Sequence, residues 1–85
     1  MIITVLFFAS LRESVGIGRE QISLPESVTT AGELRAFLRT RGPAWDGALG
    51  SARALRVAVD QVMADDSTPL APGAEVAFFP PVTGG

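Results

Sequence analysis

The sequence predicts an α+β domain in which a mixed sheet wraps one face around a single main helix. Three observations carry this expectation. The chain opens and closes on alternating apolar segments, a capping box introduces one amphipathic helix between them, and the remaining alternating runs are short and divided by turn residues. At 85 residues, with no repeat, linker or low-complexity segment, the chain builds one core.

From Ile2 to Phe8 the apolar run is broken only by Thr4, and that polar residue sets the facing. Ile3, Val5 and Phe7 turn inward, whereas Thr4, Leu6 and Phe8 turn outward. Leu11 and Val15 lie four apart around Arg12 and Glu13, which predicts one or two helical turns stopped by Gly16. The segment Gln21-Ile22-Ser23-Leu24 alternates again and closes at Pro25, giving a second strand with Ile22 and Leu24 inward.

Thr30-Ala31-Gly32-Glu33 has the S/T-x-x-E form, in which the Thr hydroxyl accepts from the Glu N–H and the Glu carboxylate reaches back. Ala31, Leu34, Phe37 and Leu38 then recur on one helical face, and Gly42-Pro43 predicts the stop. The Gly-rich stretch from Trp45 to Gly50 reads as a turn or short helix whose Trp45 and Leu49 cover one end of the core. A ligand platform is the weaker reading of Trp45. Leu55 to Val59 and Val62 to Ala64, divided by Asp60-Gln61, predict a hairpin. Glu75 to Phe79 is the last strand, with Val76 and Phe78 inward and Phe79 outward.

Composition excludes several functions. The formal charge is −2 and the arginines are scattered, which opposes binding driven by phosphate contacts, so no nucleic acid is expected as a partner. No apolar run approaches the roughly 20 residues of a membrane span, and the apolar start lacks a basic n-region and a cleavage site. A cytoplasmic protein without membrane contact is expected. The chain has no cysteine and no histidine, which removes the thiolate nucleophile, the thiolate metal site and the commonest acid/base group near neutrality. Asp65-Asp66, followed by Ser-Thr-Pro, reads as a solvated turn. No metal, no permanently bound cofactor and no turnover by the chain alone are expected.

The closing residues are the most informative. Pro80 and Pro81 lack backbone N–H groups, so the strand through Phe79 leaves the sheet there as an extended arm. Residues 1–79 then form the domain and residues 80–85 a tail that can reach roughly 20 Å at about 3.3 Å per residue. Gly84 and Gly85 have no Cβ and can thread a narrow channel, leaving the terminal carboxyl carbon open to attack. The chain also contains no lysine, so an activated carboxylate would find no side-chain amine on its own molecule.

The run from Pro72 to Gly85, Pro-Gly-Ala-Glu-Val-Ala-Phe-Phe-Pro-Pro-Val-Thr-Gly-Gly, resembles the C-terminus of the small, sulfur-carrying subunit of molybdopterin synthase. Val5-Leu6-Phe7-Phe8-Ala9 followed by Leu11-Arg12-Glu13 is similar to the start of the same family, and the resemblance spans the chain, least closely between Arg41 and Arg53. It implies a ubiquitin-like β-grasp fold. It also implies a chemistry: an adenylating enzyme of the ubiquitin-activating type uses ATP to activate Gly85, and a sulfur donor protein replaces AMP to leave a thiocarboxylate. That group would deliver sulfur to cyclic pyranopterin monophosphate within a large synthase subunit, in a heterotetramer of two small and two large subunits.

Outward Phe8 and Phe79, with Met63 beside the hairpin turn, are the candidate docking residues, since exposed apolar groups on a small domain mark partner sites. The resemblance adds Pro80, Pro81, Val82 and Thr83 as the tail segment held by the partner, with Gly84 and Gly85 at the reacting end. Three alternatives share much of this reading: a thiazole-synthase sulfur carrier, a ubiquitin-like protein modifier, and an adaptor that binds through its sheet without reacting at Gly85.

Overall fold

The computed structural model describes residues 1–50 and 54–81. In chain order the elements are β1 (Ile2–Phe7), α1 (Ser10–Val15), β2 (Arg19–Ser23), α2 (Ala31–Arg39), α3 (Pro43–Leu49), β3 (Arg56–Val59), β4 (Val62–Ala64) and β5 (Glu75–Phe79). The strands form one mixed sheet in the order β2-β1-β5-β3-β4. The first and last strands run parallel, and the other pairings are antiparallel.

Alternation in β1 and β5 produces the inner face. Ile3, Val5, Phe7, Val76 and Phe78 are buried, and they join Leu34 and Leu38 of α2, Leu11 of α1 and Leu49 of α3 in one apolar cluster. Phe7 sits at its centre, edge-on to Trp45 at 5.4 Å and stacked on Phe78 at 6.4 Å between ring centroids. Arg41 lies 4.8 Å over the Trp45 ring while its guanidinium grips both Glu20 carboxylate oxygens at 2.7 and 2.9 Å. Trp45 therefore closes the core beneath a cation and offers no open ring to a ligand.

The helix boundaries follow local chemistry. Thr30 accepts from the Glu33 N–H at 3.2 Å, and the Glu33 carboxylate accepts from the Thr30 N–H at 3.1 Å, the reciprocal cap expected from the sequence. Gly16 ends α1 at φ 83°, a left-handed conformation that glycine adopts without strain. Gly42-Pro43 stops α2 and also starts a helix, because Pro43 stands where no intrahelical N–H is needed. The carbonyls left open at the end of α3 are taken by Arg35, which donates to Leu49 and Gly50.

Two features lie beyond local pattern. Gly32 packs so closely on the loop after β4 that an added Cβ would stand 2.8 Å from Asp66 Cβ. The same loop is stitched to the start of α2 by backbone bonds from Ala31 to Thr68, Gly32 to Asp66 and Leu70 to Thr29. Ala9, between β1 and α1, has φ 54° and ψ −130°, a conformation disfavoured for a residue with a Cβ. It reverses the chain immediately after Phe8.

Candidate docking face and tail exit

β5 is the central strand, flanked by parallel β1 and antiparallel β3. The chain therefore leaves the sheet from its middle. Phe79 is paired in register with Arg56 of β3, and on the other side the Phe8 N–H donates to the Phe78 carbonyl at 3.3 Å. Phe8 and Arg56 thus flank the point where Pro80 and Pro81, both half-buried, continue the chain without ladder bonds. Val82, Thr83, Gly84 and Gly85 lie outside the described residues.

The register builds a continuous outer face. Leu6 pairs with Ala77, Ala77 with Ala58, and Ala58 with Met63, so these four side chains form a row across β1, β5, β3 and β4. Phe8 and Phe79 form the next row toward the tail. Phe8 is 48% exposed and Met63 57% exposed, whereas Phe79, although outward, is partly covered. Covered or not, all three sequence-selected residues occupy the face left free by the helices. Leu6 was legible as outward from the alternation; Ala58, Ala77 and Arg56 join the face only through cross-strand register.

The acidic pair after β4 serves the fold. The Asp65 carboxylate accepts from the Ser67 hydroxyl at 2.6 Å and from its N–H at 2.9 Å, which holds Asp65 below the usual carboxylate range. That direction opposes use as a general acid near neutrality. Asp66 contributes its backbone carbonyl to Gly32. A shallow groove of about 530 Å³ borders this loop, lined in part by Arg35, Leu55, Arg56 and Met63. Among the described residues no cluster of three His, Cys, Asp or Glu side chains could hold a metal ion, and no helix is long and apolar enough to cross a membrane. The arrangement is a largely apolar outer face beside the point where Pro80 and Pro81 leave the sheet.

Comparison with known proteins places this geometry. The ThiS family model matches residues 5–85. The chain is 40% identical over 83 residues to the molybdopterin synthase sulfur carrier subunit of Haemophilus influenzae, covering 98% of this chain and 99% of that one. SAMP1 from Haloferax volcanii superposes with a TM-score of 0.81 at 26% identity over 100% of both chains. A protein–protein complex of subunits 1 and 2 of molybdopterin-converting factor from Helicobacter pylori contains a chain that matches with a TM-score of 0.68 at 26% identity, again over 100% of both. The sheet order and helix placement are those of the ubiquitin-like β-grasp fold, and the chain belongs to the ThiS family.

Proposed function

We propose that this chain is the sulfur carrier subunit of a molybdopterin synthase and acts in the cytoplasm. The observation that carries the reading is the position of β5: the central strand brings Pro80 and Pro81 out of the sheet beside an outward row of Phe8 and Phe79. Similarity over nearly the full length of a molybdopterin synthase sulfur carrier subunit supports it.

A carboxylate is a poor electrophile. In the proposed cycle the Gly85 carboxylate attacks the α-phosphate of ATP on an adenylating enzyme, releasing pyrophosphate and leaving an acyl-adenylate. A sulfur nucleophile supplied by a donor protein displaces AMP, and the tail becomes a thiocarboxylate. Phe8, Met63 and Phe79 dock the domain on the large subunit while Pro80, Pro81, Val82 and Thr83 lie in its channel, and Gly84 lets the terminus pass. The thiocarboxylate sulfur then attacks an oxygen-bearing carbon of cyclic pyranopterin monophosphate, a C–S bond forming as the C–O bond breaks and the oxygen leaves, and hydrolysis of the resulting thioester leaves sulfur on the pterin and a carboxylate on Gly85. Two successive carrier deliveries supply the two dithiolene sulfurs, in an assembly of two small and two large subunits.

The test is the intact mass of the protein after incubation with ATP, a sulfur source and the host's activating enzyme. A gain equal to one sulfur-for-oxygen exchange, absent when Gly85 is deleted, is the expected result. Failure to exchange sulfur would refute the carrier reading. The likeness to SAMP1, a small archaeal modifier protein by name, favours one second reading, in which the same adenylate forms isopeptide bonds. Covalent conjugates in cell extract, without sulfur on the free protein, would establish that reading.

A further inference from the structure

Ala9 stands where the outer face joins the core. Just before it, the Phe8 N–H donates to the Phe78 carbonyl at 3.3 Å, and the Phe8 carbonyl accepts from the Leu11 N–H at 3.1 Å. Just after it, Leu11 is fully buried, and the Ala9 carbonyl accepts from the Glu13 N–H at 3.3 Å. The chain passes from the outward ring of Phe8 into the core through Ala9 and Ser10 alone. The bond from Leu11 to Phe8 closes a turn over Phe8, Ala9, Ser10 and Leu11, and φ 54° with ψ −130° at Ala9 matches the first central position of a type II′ turn, where glycine is the ordinary occupant. A Cβ at that position is strained. The fold draws little from the methyl in return, because Ala9 is exposed and stands outside the apolar cluster.

We infer, on the basis of the sulfur-carrier reading, that Ala9 is a positioning residue for docking: its Cβ stiffens the turn behind Phe8, so that the ring meets the large subunit already aimed. For a residue with a Cβ, φ 54° with ψ −130° is a narrow region hemmed in by clashes. A chain held there by hydrogen bonds on both sides has no neighbouring conformation to drift into. Glycine lacks those walls and ranges widely over positive φ at the same position. Replacing Ala9 by glycine therefore relieves strain and loosens the turn together. A loose turn leaves Phe8 to be ordered at the moment of binding, and immobilising one such side chain weakens affinity about two- to tenfold. Stability and docking pull in opposite directions at this one methyl group, as they do where strain is kept at a functional site.

The experiment compares wild type, Ala9→Gly and Ala9→Ser by denaturant unfolding, by hydrogen exchange of the Leu11 amide and by calorimetric titration with the host's large subunit. Ala9→Gly should resist denaturant better than wild type, exchange its Leu11 amide faster through local opening, and bind about two- to tenfold more weakly. Ala9→Ser keeps the Cβ and should recover most of the wild-type affinity. In a Phe8→Ala background, Ala9→Gly should leave Kd where Phe8→Ala alone puts it, because the ring through which Ala9 acts is gone. Wild-type affinity for Ala9→Gly, or an equal loss with and without the Phe8 ring, would overturn the inference and leave the sulfur-carrier reading standing. Binding by Ala9→Ser as weak as that of Ala9→Gly would overturn the stiffened turn and make the methyl a direct apolar contact. No binding of the large subunit by the wild-type chain would overturn the docking face and this inference with it.

Discussion

Phe8→Ala offers the sharpest test of the docking face, because the structure separates its two energetic roles. Phe8 follows the last β1 residue and is 48% exposed, so about half of the ring's surface serves the fold and half remains for a partner. A phenylalanine presents roughly 200 Å² to be buried. Covering the remaining ~100 Å² at about 25 cal/mol per Å² contributes about 2.5 kcal/mol to association. Alanine retains a small part of that, leaving an expected loss of about 2 kcal/mol, or roughly a 30-fold rise in Kd. Its backbone N–H still donates to the Phe78 carbonyl after substitution, so the strand end persists. Calorimetric titration against the large subunit gives Kd, and a thermal melt of the free variant reports the fold. An unchanged Kd with an intact fold would show that Phe8 does not enter the interface. A collapsed melt would show that the covered half of the ring holds the domain together.

Gly32→Ala should destabilise the protein even though alanine is favoured in helices by up to about 1 kcal/mol. The new Cβ would sit 2.8 Å from Asp66 Cβ and 3.0 Å from its carbonyl oxygen, and overpacking of that kind costs about 1–3 kcal/mol. A melt lowered by roughly 4–8 °C is expected for each net kcal/mol lost, and an unchanged or raised Tm would contradict the close approach. Ala9→Gly should act the other way, since φ 54° with ψ −130° suits glycine; a gain of about 1 kcal/mol in denaturant unfolding checks it. Glu33 is held below its ordinary range first by the Thr29 N–H, and Asp65 first by the Ser67 hydroxyl. Their contribution is fully present above the ordinary carboxylate range and is lost as pH falls through that range to the lower folded values, so Tm should be level near neutrality and drop in acid, less steeply in Glu33→Gln. Both groups are exposed, which keeps the effect small and salt-sensitive. Gly84→Val should leave melting and docking unchanged while abolishing sulfur delivery, because a β-branched residue adds bulk and restricts the backbone where the tail must pass; normal molybdopterin formation in a reconstituted assay would refute the glycine-gated tail.

By itself the sequence determined whatever depends on neighbours along the chain. Thr4 fixed the two faces of β1, Thr30 and Glu33 fixed the start of α2, Gly16 the end of α1, and Asp60-Gln61 the β3–β4 hairpin. These are short-range rules of periodicity, capping and turn geometry, and they sufficed to turn Phe8 and Phe79 outward. They also yielded the proline stop and the glycine pair, residue by residue. Tertiary structure alone decided that β5 is inserted between β1 and β3, so that residues from opposite ends of the chain share one face. Parallel pairing of β1 with β5 leaves no local trace, because its partners are brought together by burial of Val5 and Val76 in a common core and by no turn between them. The same long-range closure set Gly32 against Asp66 and placed Phe8 and Arg56 on either side of the tail exit. Local signals specify which way a side chain points; only strand order specifies what it points beside.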